Sequence, residues 1–585
     1  MLPLEGVFLH AVQLLTGEDA LILQEMIARL IVSGFPDVED ADIQCTVPPS
    51  PELGDVSVPM FQLAKKLRKP PVVLAKEVAD SVDFSAIAES VSLAGPYLNL
   101  ILKRDYFAKQ LFSRAFAKKE KWGSNASGAG KKVLIEHTSI NPNTSPHVGR
   151  GRCAMIGDSL VRLLRFEDYD VDVHYYVNDM GRQIALLVLM MEELDNPTFD
   201  EILEIYVKAN VRAEADPEFA ARGYELLARI ESGDEEIRKR FFDITEMCLK
   251  GQLAVLQRIG AQYDFFDHES NYVNDPRLSV IEKALQSKGA LFTDEEARLV
   301  VDLSKLGYPL EEGRFFVLRR ANGSSMYGCR DLIYSIEKQE KGADYNLMVL
   351  GEDHKLYAQQ LALILEAAGY PAPETIYYSY ILLKEGKMST RSGKVVLLTS
   401  VLDQAEAIAL EKVTEQFPDL AGAEREDIAR QVAVAAIRFA VLRVKPSKNV
   451  VFDMETALSF QGDTGPYIQY CCARIRSILR KWDQALPDLS SCAFAFDEEG
   501  EWRLVLKVAD FPDIVKEALL LRSCAGIGNY LIDLAHVFTT FYHQCPVLTA
   551  KTEVQQESRI LLCALVLQTL SNGLALLGIE TPERM

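Results

Sequence analysis

Apolar positions recur along the chain with two different periods, and the places where the period changes divide it into blocks. Residues 16 to 115 mix helical spacing (ILQEMIARLI, FQLAKKLRK, VLAKEVADSV) with short strand-like runs (DADIQCTV, YLNLIL), the pattern of a small α+β unit. The stretch KKEKWGSNASGAGKK, residues 118 to 132, is charged and then Gly/Ser-rich, which is the composition of a flexible joint. A β-run (KKVLIEHTS), a glycine-containing turn, an amphipathic helix carrying Ile156, Leu160, Leu163 and Leu164, and a second β-run (VDVHYYV) then make a β-α-β unit, which implies a parallel sheet. From about 185 to 276 the text is long, acidic and helical, after which β/α alternation resumes with RLVVDL, FFVLRR, LMVLGEDH and IYYSYILLK. The pattern is a helical insertion within one α/β domain. Beyond about Ser400 the spacing is helical almost throughout.

These blocks predict a multidomain α/β protein: a small α+β domain at 1–117, a linker at 118–132, a parallel-sheet domain at 133–400 with its insertion at about 185–276, a helical connection at 401–459, and an all-α bundle at 460–585. At 585 residues, no unit should lack a core.

Composition narrows the functional classes. Hydrophobic residues make up 48% of the chain and charged ones 25%, ordinary for a soluble protein, and no apolar run approaches the ~20 residues that cross a bilayer. No membrane association is expected. The opening MLPLEGVFLHAVQLLTGEDALI carries Glu5, Glu18 and Asp19 and no Lys or Arg, unlike a secretory signal or an Arg-rich presequence, so the expected location is cytoplasmic. Ten cysteines are scattered, and the one close pair, Cys471 and Cys472, lacks the spacer of a zinc knuckle. Reduced core thiols and no structural zinc are expected. A net charge of -21 opposes generic attraction to nucleic acid, so such a partner would need a local basic track.

Three short stretches invite a chemical reading, and the first fails it. GAGKK resembles the end of a phosphate loop, but Asn125 stands where its first glycine belongs and a strand, VLIEH, follows where a helix is required. The second, NPNTSPHVGRGR at 141–152, is a strand-to-helix turn; its glycines fail the G-x-G-x-x-G spacing because the third arrives only at Gly157. What remains is a helix N-terminus with Gly149 permitting close approach, His147 beside it, and Arg150 and Arg152 flanking it, which suits a polyphosphate. A plain steric turn is the alternative. About 240 residues on, KEGKMSTRSGK places Lys384, Lys387, Arg391 and Lys394 on a glycine-punctuated loop after the strand YILLK.

Together the second and third stretches resemble the HIGH-type and KMSKS-type motifs of class I aminoacyl-tRNA synthetases, and over nearly its full length the chain resembles the arginyl-tRNA synthetase family. The resemblance is carried by VLIEHTSINPN (133–143), YYVNDMGRQ (175–183), SSMYGCRDLIY (324–334), KMSTRSG (387–393), FQGDTGPYIQYCCARIRSILRK (460–481) and the terminal GLALLGIETPERM, and at the N-terminus by PPSPELGDVSVPMFQLAKKLRK (48–69) and AGPYLNL (94–100). It implies a Rossmann-like catalytic domain, an N-terminal tRNA-contacting domain and a C-terminal anticodon-binding bundle. It also implies activation of L-arginine by ATP, accompanied by Mg2+, to arginyl-adenylate, and transfer to the terminal adenosine of tRNA(Arg), by a monomer.

By resemblance, Glu136 and Asp331 receive the guanidinium, with Tyr327 one helical turn before Asp331 and His354 nearby, while Ser139 and Asn141 hold the α-amino group. Carboxylates in a forked arrangement are what a buried guanidinium needs. His147, Gly149 and Arg150 would lie against ATP, joined by Lys387, Met388, Ser389 and Arg391, with Lys387 and Arg391 stabilising charge on the departing pyrophosphate. Tyr97 and Asn99 match positions that meet the tRNA elbow, Tyr467 and Arg474 a signature where the bundle meets the catalytic domain, and Tyr542 a position that stacks on an anticodon base. Arg474, Arg476, Arg480 and Lys481 form two basic rows on one helix, the local track that the net charge called for. Three positions depart from the family pattern: Arg150 replaces a histidine, Thr390 a lysine, and His354 a glutamine. An inactive, synthetase-like tRNA-binding regulator is the alternative that these departures raise.

Overall fold

The computed structural model describes residues 22–46, 48–191, 199–308, 313–383 and 396–585. The N-terminal segment read for targeting signals, residues 1–21, and the KMSTRSG stretch with Lys384, Lys387, Met388, Ser389, Arg391 and Lys394 lie outside the described residues.

At the centre stands a five-stranded, all-parallel sheet in the order β11-β10-β4-β5-β6, built from β4 (Lys132–Glu136), β5 (Asp170–Val177), β6 (Phe265–His268), β10 (Tyr345–Gly351) and β11 (Glu374–Tyr378). The chain runs from β4 outward through β5 to β6 and then returns to lay β10 and β11 on the other side of β4. The order therefore reverses between β4 and β10, and a crevice opens at the carboxyl ends of those two strands, the usual ligand position in such sheets. Between β4 and β5 runs the helix Val148–Phe166, which buries Ile156, Leu160, Leu163 and Leu164 against the sheet. Gly157 makes that packing possible: a Cβ there would lie 2.2 Å from the His137 ring.

The helical insertion is present as Arg182–Met191, Phe199–Ala215, Pro217–Glu231 and Glu235–Arg258, which share a core of their own. RLVVDL and FFVLRR, in contrast, do not join the parallel sheet. They are β8 (Leu299–Asp302) and β9 (Phe315–Arg319), which pair antiparallel with each other and, through β8, with β7 (Leu291–Thr293) in a separate three-stranded sheet. Short apolar runs carry no information on pairing direction, and here the connections are too short for a crossover helix.

The N-terminal region forms a second antiparallel sheet, β1 (Val56–Pro59), β3 (Tyr97–Leu102) and β2 (Ala88–Ala94), backed by Ile22–Gly34, Phe61–Leu67 and Pro71–Ser81. The Gly/Ser-rich stretch that follows is no loose joint. Trp122 is buried and donates through Nε1 to Thr569 Oγ1 at 3.0 Å, Asn572 donates to the Trp122 carbonyl at 2.9 Å, and buried Glu167 accepts from the backbone of Asn125 and from the Ser127 hydroxyl. Composition predicted flexibility; one tryptophan and one buried carboxylate clamp the segment between the parallel-sheet domain and the C-terminal bundle.

From residue 398 onward the chain is helical except for β13 (Val450–Phe452), which pairs parallel with β12 (Ile381–Leu383) and so ties the catalytic sheet's exit to the bundle. Within the bundle, Glu553–Leu576 is by length and composition apolar enough to span a membrane, but 78% of its most apolar window is buried among the other helices. It is a core helix.

Candidate active site

The cleft at the ends of β4 and β10 has a volume of about 440 Å³ and gathers residues from both sides of the sheet's reversal point. β4 ends in Glu136, and the backbone then turns sharply: Thr138 and Ser139 have φ of 75° and 43°, a strained conformation for non-glycine residues and above all for a β-branched one. The strain is held in place by the Tyr263 hydroxyl donating to Thr138 Oγ1 at 2.7 Å, by the Thr138 amide donating to Cys153 Sγ at 3.3 Å, and by the Tyr176 amide donating to Ser139 Oγ at 3.1 Å. As a result Glu136, Ser139 and Asn141 all line the cleft.

The opposite wall is one face of the helix Tyr327–Glu340. Tyr327, Asp331, Tyr334, Ser335 and Lys338 all line the cleft, at successive spacings of four, three, one and three residues. Asp331 accepts from the Tyr357 hydroxyl at 2.6 Å, and among the described residues no Lys or Arg pairs with it. The surrounding protein desolvates this carboxyl and raises its pKa from the ordinary 3.8, against the lowering effect of the Tyr357 hydrogen bond. The other two cleft carboxylates are already paired. Lys338 Nζ lies 2.6 Å from Glu136 Oε2, and Arg330 Nε lies 2.6 Å from Glu269 Oε1. Burial pushes Glu269 up to about 7, even though Arg330 acts to lower it.

The turn 141–152 enters as the N-terminus of the helix Val148–Phe166. His147 is its N-cap residue, with Nδ1 accepting from the Gly149 amide at 3.1 Å; that bond assigns the proton to Nε2. Burial, and then the Arg150 charge, lower the His147 pKa, with Asp353 opposing. A neutral imidazole presents its Nε2–H at the N-terminus of the helix, where the dipole favours an anion. Arg150 lines the cleft, whereas Arg152 does not. Arg152 is fully buried and donates to the carbonyls of Ser379, Tyr380, Lys445, Pro446 and Lys448, at 2.5–3.3 Å. It is a structural clamp and offers no contact to a polyphosphate, a correction that sequence spacing could not supply. Val396, the first described residue after the KMSTRSG stretch, accepts from the Val148 amide at 3.0 Å. Val396 and Leu397 therefore lie beside His147.

His354 also lines the cleft, with 43% of its side chain exposed. Cleft residues that sequence reasoning missed include Lys338, Tyr334, Tyr357, Tyr176 and the carboxylate Glu269. Spacing puts the first two on the helix face of Tyr327 and Asp331, but the pairing of Lys338 with Glu136 and the arrival of Tyr357 from the next helix lie beyond any local spacing rule.

The expected nucleic-acid contacts divide. Tyr97 is 39% exposed, but Asn99 is 2% exposed in the middle of its sheet, paired across to Ser57 and Ser92. Tyr97 and Asn99 lie on the same face of the strand, on which Tyr97 and Ile101 stay exposed while Asn99 between them is covered. Arg474 lies between Tyr470 and Tyr542, its guanidinium carbon 4.8 and 4.9 Å from their ring centroids, and Tyr542 is 37% exposed. Tyr467 shares a hydroxyl hydrogen bond with Thr539 at 2.8 Å inside the bundle. The second basic row is occupied: Arg476 donates to Pro582 O and Thr581 Oγ1, and Arg480 to Glu583 O, so both hold the C-terminal tail.

Residues 112–454 match the family of class I tRNA synthetases (R), catalytic domain; residues 20–102 match the arginyl tRNA synthetase N-terminal domain, and 468–585 the DALR anticodon binding domain. The chain is 35% identical over 554 residues to the arginine–tRNA ligase of Methanothermobacter thermautotrophicus, covering 93% of this chain and 95% of that protein. It is 36% identical over 581 residues to the arginine–tRNA ligase of Methanocaldococcus jannaschii, covering 96% and 98%. In three dimensions it resembles the arginyl-tRNA synthetase of Thermus thermophilus, with a TM-score of 0.79 at 30% identity over 96% of this chain and 100% of that one.

Proposed function

The chain belongs to the arginyl-tRNA synthetase family, and from that premise we propose how its cleft carries out the reaction of an arginine–tRNA ligase. L-Arginine and ATP give arginyl-adenylate and pyrophosphate, and the arginyl group then passes to the 3'-terminal adenosine of tRNA. The observation that carries the assignment of roles is Asp331, a desolvated carboxylate on the cleft wall with no Lys or Arg paired to it among the described residues. A guanidinium supplies the missing charge and can fork its donors between Asp331 and the free oxygen of Glu136. Tyr327 and His354 close that end, and Ser139 and Asn141 face the α-amino group.

In the first step the arginine carboxylate attacks the α-phosphorus of ATP and pyrophosphate leaves. The Nε2–H of His147, the backbone at Gly149 and the Arg150 guanidinium would hold the phosphates in line, and by the family resemblance Lys387, Met388, Ser389 and Arg391, outside the described residues, would join them. No covalent bond to the protein is needed. Mg2+ would enter on the phosphates, since no cluster of three or more His, Cys, Asp or Glu among the described residues is arranged to hold it. In the second step the 2'-hydroxyl of the terminal adenosine attacks the activated carbonyl and AMP departs. Arg474 and Tyr542 form the exposed cation–aromatic surface on which an anticodon base can stack.

A neutral isostere leaves Asp331 desolvated and unpaired, a mismatch that can reject a rival by ~10⁴ or more. ATP–pyrophosphate exchange in the presence of tRNA, with citrulline in place of arginine, tests this. Exchange should follow arginine alone, and comparable rates with citrulline would remove the assigned role of Asp331.

A further inference from the structure

Three carboxylates line the cleft, and two of them have resident cations. Glu269 is 2% exposed and paired with Arg330; Glu136 is 7% exposed and paired with Lys338, which is itself 0% exposed. Lys338 also stands 4.3 Å from the centroid of the Tyr334 ring, which fixes its ammonium from a second side. The pair holds Glu136 by Oε2 and leaves Oε1 toward Ser139 Oγ, 3.4 Å away, on the cleft side. Arg150, a further cation among the described lining residues, comes from the other wall, beside His147. At the end formed by the helix Tyr327–Glu340, Asp331 is therefore the cleft carboxylate without a Lys or Arg paired to it among the described residues.

We propose that Lys338 is a positioning and specificity residue for the amino-acid substrate: by neutralising and orienting Glu136 it leaves the pocket short of one positive charge, the number that one guanidinium brings. Without the lysine, Glu136 would be a second unmatched carboxylate, free to turn away from the substrate. Without the glutamate, the lysine would be an unpaired ammonium able to take the place of the guanidinium at Asp331. Removing one member of a buried pair costs far more than replacing both by neutral groups of similar size. Lysine rather than arginine suits this task, because a point charge satisfies a single carboxylate oxygen and leaves the other for the ligand.

This inference rests on arginine being the substrate, so wild-type charging is measured alongside. In tRNA-dependent exchange, Glu136→Gln should lower kcat/KM for arginine at least ~100-fold, while the double variant Glu136→Gln/Lys338→Met, with the charge count restored, should recover about tenfold of that loss. Lys338→Ala should raise KM for arginine while leaving KM for ATP unchanged, and n-propylammonium should restore its activity where 1-propanol does not. Thermal melting establishes that each variant is folded, and the double variant, which has no unpaired buried charge, keeps the test open if a single variant is not. A double variant no better than Glu136→Gln, or rescue of Lys338→Ala by propanol as readily as by propylammonium, would overturn the proposal. If the wild-type chain charged no arginine, the functional reading itself would fail instead.

Discussion

Asp331→Asn separates what the cleft needs for binding from what it needs for folding. The side chains have the same shape, and asparagine can still accept from Tyr357, 2.6 Å away, so the substitution removes charge and little else. No Lys or Arg pairs with this carboxylate among the described residues, so its charge stabilises no internal partner by an ion pair. Hydrogen bonds to a charged acceptor exceed neutral ones enough that losing this charge should cost about 2–3 kcal/mol of arginine binding, roughly 30- to 150-fold in kcat/KM. KM for ATP should not change. The unliganded protein should respond in the opposite direction. Desolvation raises the Asp331 pKa above 3.8, so the ionised form destabilises the fold; that cost is absent below 3.8 and complete above the raised folded-state value. Near pH 7 the asparagine variant should therefore melt higher than wild type, and in acid the two should converge. Wild-type kcat/KM for arginine should also fall as the pH drops through the raised value, a limb the variant lacks. Exchange kinetics with varied arginine, together with melting at two pH values, read all of this. An unchanged kcat/KM for arginine in a folded variant would refute the reasoning.

Arg150→His should keep activity within about tenfold, with any change in KM for ATP, because a histidine still donates to phosphate; complete loss would show that a permanent charge is required there. Arg152→Lys should lower unfolding stability by about 2–4 kcal/mol, since an ammonium cannot satisfy five carbonyl oxygens on two separate segments, and an unchanged denaturation midpoint would contradict the clamp. Tyr542→Ala should lower kcat/KM for tRNA by about 1–3 kcal/mol while leaving KM for arginine alone; a matching loss toward arginine would place the residue in the core of the bundle instead.

Local spacing conveyed the parts of the fold that depend on local spacing. The β-α-β unit around residues 132–177 is legible because its helix carries one apolar stripe and its strands carry short runs of Val, Ile, Leu and Tyr that are buried in the sheet. β8 and β9 read as strands for the same reason, but which sheet they join depends on connections and partners that a five-residue run does not encode. The linker shows the converse limit. Its Gly/Ser-rich composition predicts a flexible joint, whereas the clamp depends on Trp122 finding Thr569, more than 400 residues away. In the cleft, the residues expected around arginine converge from β4, its strained turn and one helix, although the counter-ion Lys338 went unread because a buried lysine in a helix looks like any solvated one until its partner is placed. Arg152 and Arg476 teach the same lesson: an arginine in a basic motif is equally suited to phosphate or to backbone carbonyls, and only tertiary structure decides which.

The most direct measurement is aminoacylation by the full chain, supplied with ATP, total tRNA and each of arginine and citrulline. The account predicts arginine-dependent formation of arginyl-tRNA and none from citrulline. Normal tRNA binding with no arginyl-tRNA formed would contradict it and leave a tRNA-binding regulator in its place.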